Sequence, residues 1–133
     1  RKELVLVQEM WPVRVLVIGG LDRAVLGQGL GVTVREWQPG SWTGHFVTDL
    51  SSVTVHDPTG NLMLLSDMSS ILAEYAPDGT PLGLLTLWSG WHGLTRWVPQ
   101  AEGVAIGPDD AVFIVSEPNL FYRFDPAVTL SQP

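Results

Sequence analysis

Residues Gln100–Asp125 read QAEGVAIGPDDAVFIVSEPNLFYRFD, and the fold is decided here. Three short runs, Ala101–Ile106, Ala111–Ser116 and Leu120–Phe124, are rich in Val, Ile and Phe and are joined by tight turns, the pattern of consecutive strands. An echo lies upstream at Asp49–Asp78, DLSSVTVHDPTGNLMLLSDMSSILAEYAPD. Val53 recurs as Val104, 51 residues on, and Ser66 recurs as Ser116, 50 residues on. A period near fifty residues is the sequence sign of a sheet repeated as propeller blades.

The pattern within the strands supports that choice. A sandwich strand alternates apolar and polar residues because one face meets water. Leu62-Met63-Leu64-Leu65 and Val112-Phe113-Ile114-Val115 are apolar at every position, so both faces are expected to be covered, as they are between stacked blades. Working outward, Ser51–His56, Asn61–Ser66, Ile71–Tyr75 and Leu82–Leu87 predict one four-stranded blade. Its turns are Asp57–Gly60 and Ala76–Pro81, where Pro77 presets φ and Gly79 is free to take a positive one. Glu3–Met10 and Pro12–Ile18 predict a strand pair, and Gly31–Trp37 a further strand. Between them, Asp22–Leu26 reads as a helical turn or a loop, since Gly27, Gly29 and Gly31 disfavour a long helix. The fold class expected is all-β: propeller blades of antiparallel strands, two and a half to three of them, in pieces near 1–48, 49–99 and 100–133.

Composition narrows the function. Hydrophobic residues make up 45% of the 133, ample for a packed core. Seven Lys and Arg against fourteen Asp and Glu give a net charge of −7, which argues against a nucleic-acid partner. Arg14, Arg23, Arg35, Arg96 and Arg123 are scattered singly rather than clustered. The chain has no cysteine, so disulfide and thiolate chemistry are excluded. No apolar run approaches the ~18 residues of a membrane-spanning helix. Opening at Arg1-Lys2 directly into a strand is expected of a piece of a longer polypeptide.

Gln100–Phe124, with its AEGVAI strand and IVSEPNLFYRF ending, resembles the SdiA-regulated family of bacterial β-propeller proteins, the YjiK-like group. Asp49–Tyr75 is similar to the preceding blade of that family, and Leu6–Val17 (LVQEMWPVRVLV) to its strand pair with a Glu before a Pro; Gly20–Thr48 matches poorly. The resemblance implies a propeller domain of the bacterial cell envelope, exported behind a signal or membrane anchor, about twice as long as this chain and without an established catalytic activity. The chain then corresponds to the C-terminal half. Its departures are Ser51-Ser52 where the later repeat has Glu102-Gly103, and Asp67-Met68 where it has Glu117-Pro118.

In a propeller the first strand of each blade lines the channel, and ligands bind where loops gather at one mouth. Glu102 stands at the start of an innermost strand and Glu117 at the end of the next, so antiparallel pairing brings them to one end of the sheet. Ser51 and Asp67 are their counterparts, with Asp49 nearby and Glu9 a further contributor. Converging carboxylates favour a cation with oxygen ligands, calcium above all. In the bland alternative Glu102 caps turn amides and Glu117 pairs with Arg96 or Arg123. A general acid and base would use the same side chains, and the family's similarity to propellers with lactonase or phosphatase activity makes a metal-assisted hydrolase the alternative to a binding module.

Other patterns carry less. Gly27-Gln28-Gly29-Leu30-Gly31 lacks G-x-G-x-x-G spacing and precedes a strand, against a dinucleotide turn. His45, His56 and His92 lack metal-ligand spacing, and no nucleophile elbow surrounds Ser66 or Ser116. Trp37, Trp42, Trp88, Trp91 and Trp97 read mainly as plugs between blades, with Trp91-His92-Gly93 the part placed to reach a ligand or protein partner. So few blades cannot close a ring, so the remainder of a longer polypeptide, or a second copy, is expected to cover the bare ends.

Overall fold

Each Val-rich and Leu-rich segment becomes a strand in the computed structural model, which describes residues 2–28, 31–39 and 47–127. Sheet one is β1 (Glu3–Gln8), β2 (Arg14–Gly19) and β3 (Thr33–Trp37), with a one-turn helix, α1 (Leu21–Val25), between the last two. Sheet two is β4 (Ser52–His56), β5 (Asn61–Ser66), β6 (Ile71–Tyr75) and β7 (Pro81–Thr86). Sheet three is β8 (Ala101–Ile106), β9 (Val112–Ser116) and β10 (Leu120–Phe124). Every pairing is antiparallel between sequence neighbours, so this is an all-β array of partial propeller blades. No helix among the described residues is long and apolar enough to cross a membrane. Trp42 and His45 lie outside the described residues.

Turn chemistry explains where strands stop. The amides of Thr59 and Gly60 donate to His56 O at 3.1 and 2.8 Å, and Gly60 takes φ +74°. Gly79 takes φ +89°, as its place in APDGTP predicts, and a Cβ there would come within 3.0 Å of the Trp37 ring. Glycine is therefore needed twice over at this position, for the turn and for the close approach of sheet one.

The way the sheets pack identifies each strand's place in its blade. β8 packs on both β4 and β5, the first and second strands of sheet two. β4 in turn packs on β1. β1 therefore sits where β5 does, in second position, and sheet one holds the second to fourth strands of a blade. Sheet three holds the first to third. In this register Gln8-Glu9, Ser66-Asp67 and Ser116-Glu117 are one position of the repeat.

Two cores fill the seams. Val15, Val17, Leu50, Leu62, Leu64, Ile71 and Tyr75 are buried between sheets one and two, with Val5, Val7 and Trp37 against them. Leu65, Leu72, Leu87, Val98 and Ile114 are buried between sheets two and three, with Met63, Val104, Tyr122 and Phe124 against them. A buried side chain of this size stabilises the fold by roughly 1.5–3 kcal/mol. The expectation that both faces of the apolar strands are covered holds for β5, where Leu62, Leu64 and Leu65 are 4%, 1% and 0% exposed. In β9 it holds on one face: Ile114 is fully buried, while Val115 is 48% exposed because no described sheet lies beyond it.

Candidate acidic site at one end of the sheets

The second-to-third-strand turns and the starts of the inner strands share one end of the array. The other end carries the β4–β5 and β8–β9 turns, where His56 Nε2 meets Asp110 Oδ1 at 2.9 Å and Nδ1 meets Thr59 Oγ1 at 2.7 Å, tying sheets two and three together. His56 is thus a turn-flanking side chain with a bridging role.

At the acidic end the sequence-predicted residues divide into two groups. Asp49 is buried at 6% exposure and fully engaged. Its Oδ1 accepts from Ser66 Oγ at 2.5 Å and from the Met68 amide at 3.2 Å, and its Oδ2 from the Asp67 amide at 3.2 Å. It holds the β5–β6 turn closed. Asp67 Oδ1 accepts the Ala101 amide at 3.0 Å, while Ser51 Oγ donates to Ala101 O at 2.7 Å. These two side chains clamp the start of β8 onto sheet two. Across the seam from sheet one, the Leu50 amide, in Ala101's repeat position, donates instead to the backbone carbonyl of Glu9 at 3.0 Å. The Glu9 side chain is exposed.

Glu102 and Glu117 behave differently. Both are exposed, and both line one concavity of about 430 Å³ with Val115, Ser116, Asn119 and Phe121. Antiparallel pairing of β8 with β9 puts them there, as the spacing predicts. The register of that pair shifts between Ala101 and Gly103, leaving Glu102 as the extra residue of a β-bulge. A bulge re-aims a side chain. A Cβ on Gly103 beside it would approach Val115 Cγ2 to 2.7 Å, so a larger residue there would make that side chain shift. The turn is anchored by the Glu117 amide donating to Gln100 O at 3.1 Å and by the Ser116 hydroxyl donating to Pro99 O.

Arg123 is not Glu117's partner: it binds Asp109 and Asp125 at 2.8 and 2.7 Å. Among the described residues the concavity's lining has two acids and no base. The donors that face it are oxygens, which fit a hard cation such as calcium. Across the described residues, however, no group of three or more His, Asp or Glu converges, so the five predicted acids do not form one centre.

Trp91 and His92 lie apart from these acids. Trp91 is 56% exposed, and its ring is 6.2 Å from that of His92. His92, Arg96, Tyr122, Arg123 and Phe124 border a separate concavity of about 280 Å³ beside the β10 edge. Trp37 and Trp88 do plug seams: Trp37 meets Tyr75 at 5.3 Å, and Trp88 Nε1 donates to Ser69 O at 3.3 Å. The Trp97 ring lies tilted against Trp88, 5.5 Å between centroids, yet stays 54% exposed. Sequence reasoning missed the bulge at Glu102 and the self-contained bonding of Asp49. The paired Ser66-Asp67 after an upstream Asp was the available signal for the second.

The SdiA-regulated family pattern matches residues 1–125, which takes in all three sheets and both acidic turns, and the chain belongs to the SdiA-regulated family.

Proposed function

We propose that this chain is a non-catalytic binding module of a bacterial envelope propeller, and that Glu102 and Glu117 hold a cation, calcium or the charged end of a small ligand. The observation that supports this reading is the shared concavity: two exposed carboxylates, one aimed by a bulge, above Val115 and Phe121, with no base in the lining. Two carboxylates in one concavity repel each other, and a cation between them removes that repulsion. Asp49 and Asp67 serve the frame around this site, and the envelope location in this reading is an expectation taken from the resemblance alone.

Isothermal titration with calcium chloride tests the proposal. Binding at millimolar calcium or below, lost in Glu102→Gln and Glu117→Gln while the thermal midpoint without calcium stays put, is the expected result. No heat up to millimolar calcium removes the calcium reading. Hydrolysis of lactone or phosphoester probes that disappears in the same folded variants would replace the binding module with a metal-assisted hydrolase at these residues.

A further inference from the structure

The two seams of the array are filled differently on their outer side. Register places Trp37 of β3 and Leu85 of β7 at one position of the repeat, opposite the buried third-strand residues Val15 and Leu72. Between sheets one and two, Trp37 lies over Tyr75 at 5.3 Å. Between sheets two and three, Phe124 holds the place of Tyr75, and Leu85 reaches less far than a tryptophan. A concavity of about 280 Å³ opens at this second seam, between the loop after β7 and the Tyr122 and Phe124 side of β10.

Both walls of this concavity belong to sheets that face each other within the array. A strand added beyond β10 would border it without sealing it, as sheet two shows. Leu84 of its fourth strand pairs with Ala73 and points with it toward sheet one, yet Leu84 stays 38% exposed. The loop wall has a fixed shape. The Gly90 amide donates to Leu94 O and the Leu94 amide to Trp91 O, each at 2.8 Å, and the Ser89 hydroxyl donates to Thr95 O at 3.1 Å. Leu94 packs on the core, and His92 takes φ +50°, uncommon for a residue with a side chain.

The charge of the lining runs against that of the chain. His92, Arg96 and Arg123 border the concavity and no acid does, although the net charge is −7. Arg123 is taken by Asp109 and Asp125. Arg96 has no ion-pair or hydrogen-bond partner among the described residues, and neither has the Tyr122 hydroxyl. A free guanidinium beside two further donors, with no carboxylate in the wall, suits an anion. We propose that this concavity binds the anionic group of a small molecule, a carboxylate or a phosphate. Arg96 is the charged donor, since its planar fork matches either group, and His92 and the Tyr122 hydroxyl donate beside it. The volume lies at the small end of ligand pockets, usually about 300–1,000 Å³. The site is separate from Glu102 and Glu117 and does not depend on what they bind.

Isothermal titration of the chain with inorganic phosphate and with D-glucuronate tests this. At least one of them should bind at millimolar concentration or below, more weakly as sodium chloride is raised. Arg96→Gln is a change at an exposed site, so circular dichroism should stay native while affinity falls about tenfold or more. Tyr122→Phe should weaken binding several-fold through loss of one hydrogen bond. Arg23→Gln removes another exposed arginine that has no ion pair among the described residues, and it should change nothing. Tighter binding of phosphate would make the ligand a phosphate, and tighter binding of glucuronate would make it a carboxylate. No binding of either anion up to about 10 mM would overturn the proposal. So would affinity that is unaltered in Arg96→Gln, or lost in Arg23→Gln instead.

Discussion

Sheets two and three are copies of one sequence pattern set in different surroundings. Sheet two has a neighbour on each face, and its turn after β5 closes on Asp49. Among the described residues sheet three has a neighbour on one face, and its turn after β9 leaves Glu117 open beside Glu102. In the place of Asp49 sheet three has Gln100, whose carbonyl, rather than its side chain, receives the turn amide. The repeat dictates strands and register, while single substitutions within it decide whether a turn closes on its own acid or leaves that acid open. Matched substitutions in the two sheets test this directly.

The largest contrast should come from the seam. Leu65→Ala removes a fully buried side chain, and about 3 kcal/mol of stability should go with it, or roughly 10 °C in Tm. Val115→Ala, at the same repeat position, should cost under about 1 kcal/mol in the chain as a monomer, since half of that side chain already meets water. Urea unfolding of both variants makes the comparison. Equal losses would mean that the exposed face of sheet three is covered under the conditions of the measurement, and the contrast should then return on dilution.

Next in size is the buried carboxylate. Asp49→Ala strands the Ser66 hydroxyl and the amides of Asp67 and Met68. Leaving buried donors unpaired costs about 1–3 kcal/mol, and a charged acceptor lies at the upper end of that range. Gln100→Ala should change stability by no more than about 0.5 kcal/mol, because that side chain is exposed. A thermal melt in which both variants fall equally would show that Asp49 is not what closes the turn.

A smaller effect separates the clamp from the open site. Asp67→Ala removes the acceptor of the Ala101 amide across a seam and should cost about 1 kcal/mol. Glu117→Ala should be neutral or slightly stabilising in chelator, because it relieves repulsion from Glu102. With calcium added, the wild type should gain stability and Glu117→Ala should not. Calcium-dependent stabilisation of the Glu117 variant would move the cation elsewhere.

Much of this contrast could be read from residues, and some could not. Ile71–Tyr75, Ala101–Ile106 and Leu120–Phe124 appear as strands with the predicted ends, because Val, Ile and Phe runs bounded by turn residues leave little choice. The repeat also survives: the offset of 51 in the inner strand and 50 in the second reflects a turn one residue shorter in sheet three. Four residues separate His56 from Asn61, and three separate Gly107 from Ala111. What stayed hidden depended on partners distant in sequence. An apolar run such as Val112–Val115 does not say whether a neighbour is present. The second-strand position of Glu3–Gln8 emerges only from what packs on β4. Whether an acid is free or bonded is decided by groups such as the Ala101 amide, 34 residues from Asp67.

The smallest expected effect concerns the outward side of sheet three. Arg123 joins Asp109 and Asp125 and lies 5.3 Å from the Phe113 ring, a surface clasp with no counterpart in sheet two. The Arg123 hydrogen bond holds the Asp109 carboxyl below its ordinary 3.8. A carboxyl depressed on folding adds stability above the unfolded-state pKa, and that stability is lost as pH falls through the lower, folded value. Both groups meet water, so stability itself should barely move with this titration. The carboxyl resonance is the sensitive reading: by NMR, Asp109 should titrate below the usual aspartate range and move up toward it in Arg123→Ala, the Asp109 and Ala111 amides still holding it down in part. Asp78 provides the control. Its carboxyl is lowered chiefly by the Thr80 amide within its own turn, so it should titrate identically in wild type and variant. An Asp109 curve that does not respond to Arg123 would mean that the clasp is not populated in solution, leaving the Phe113 ring more open to water than it is here.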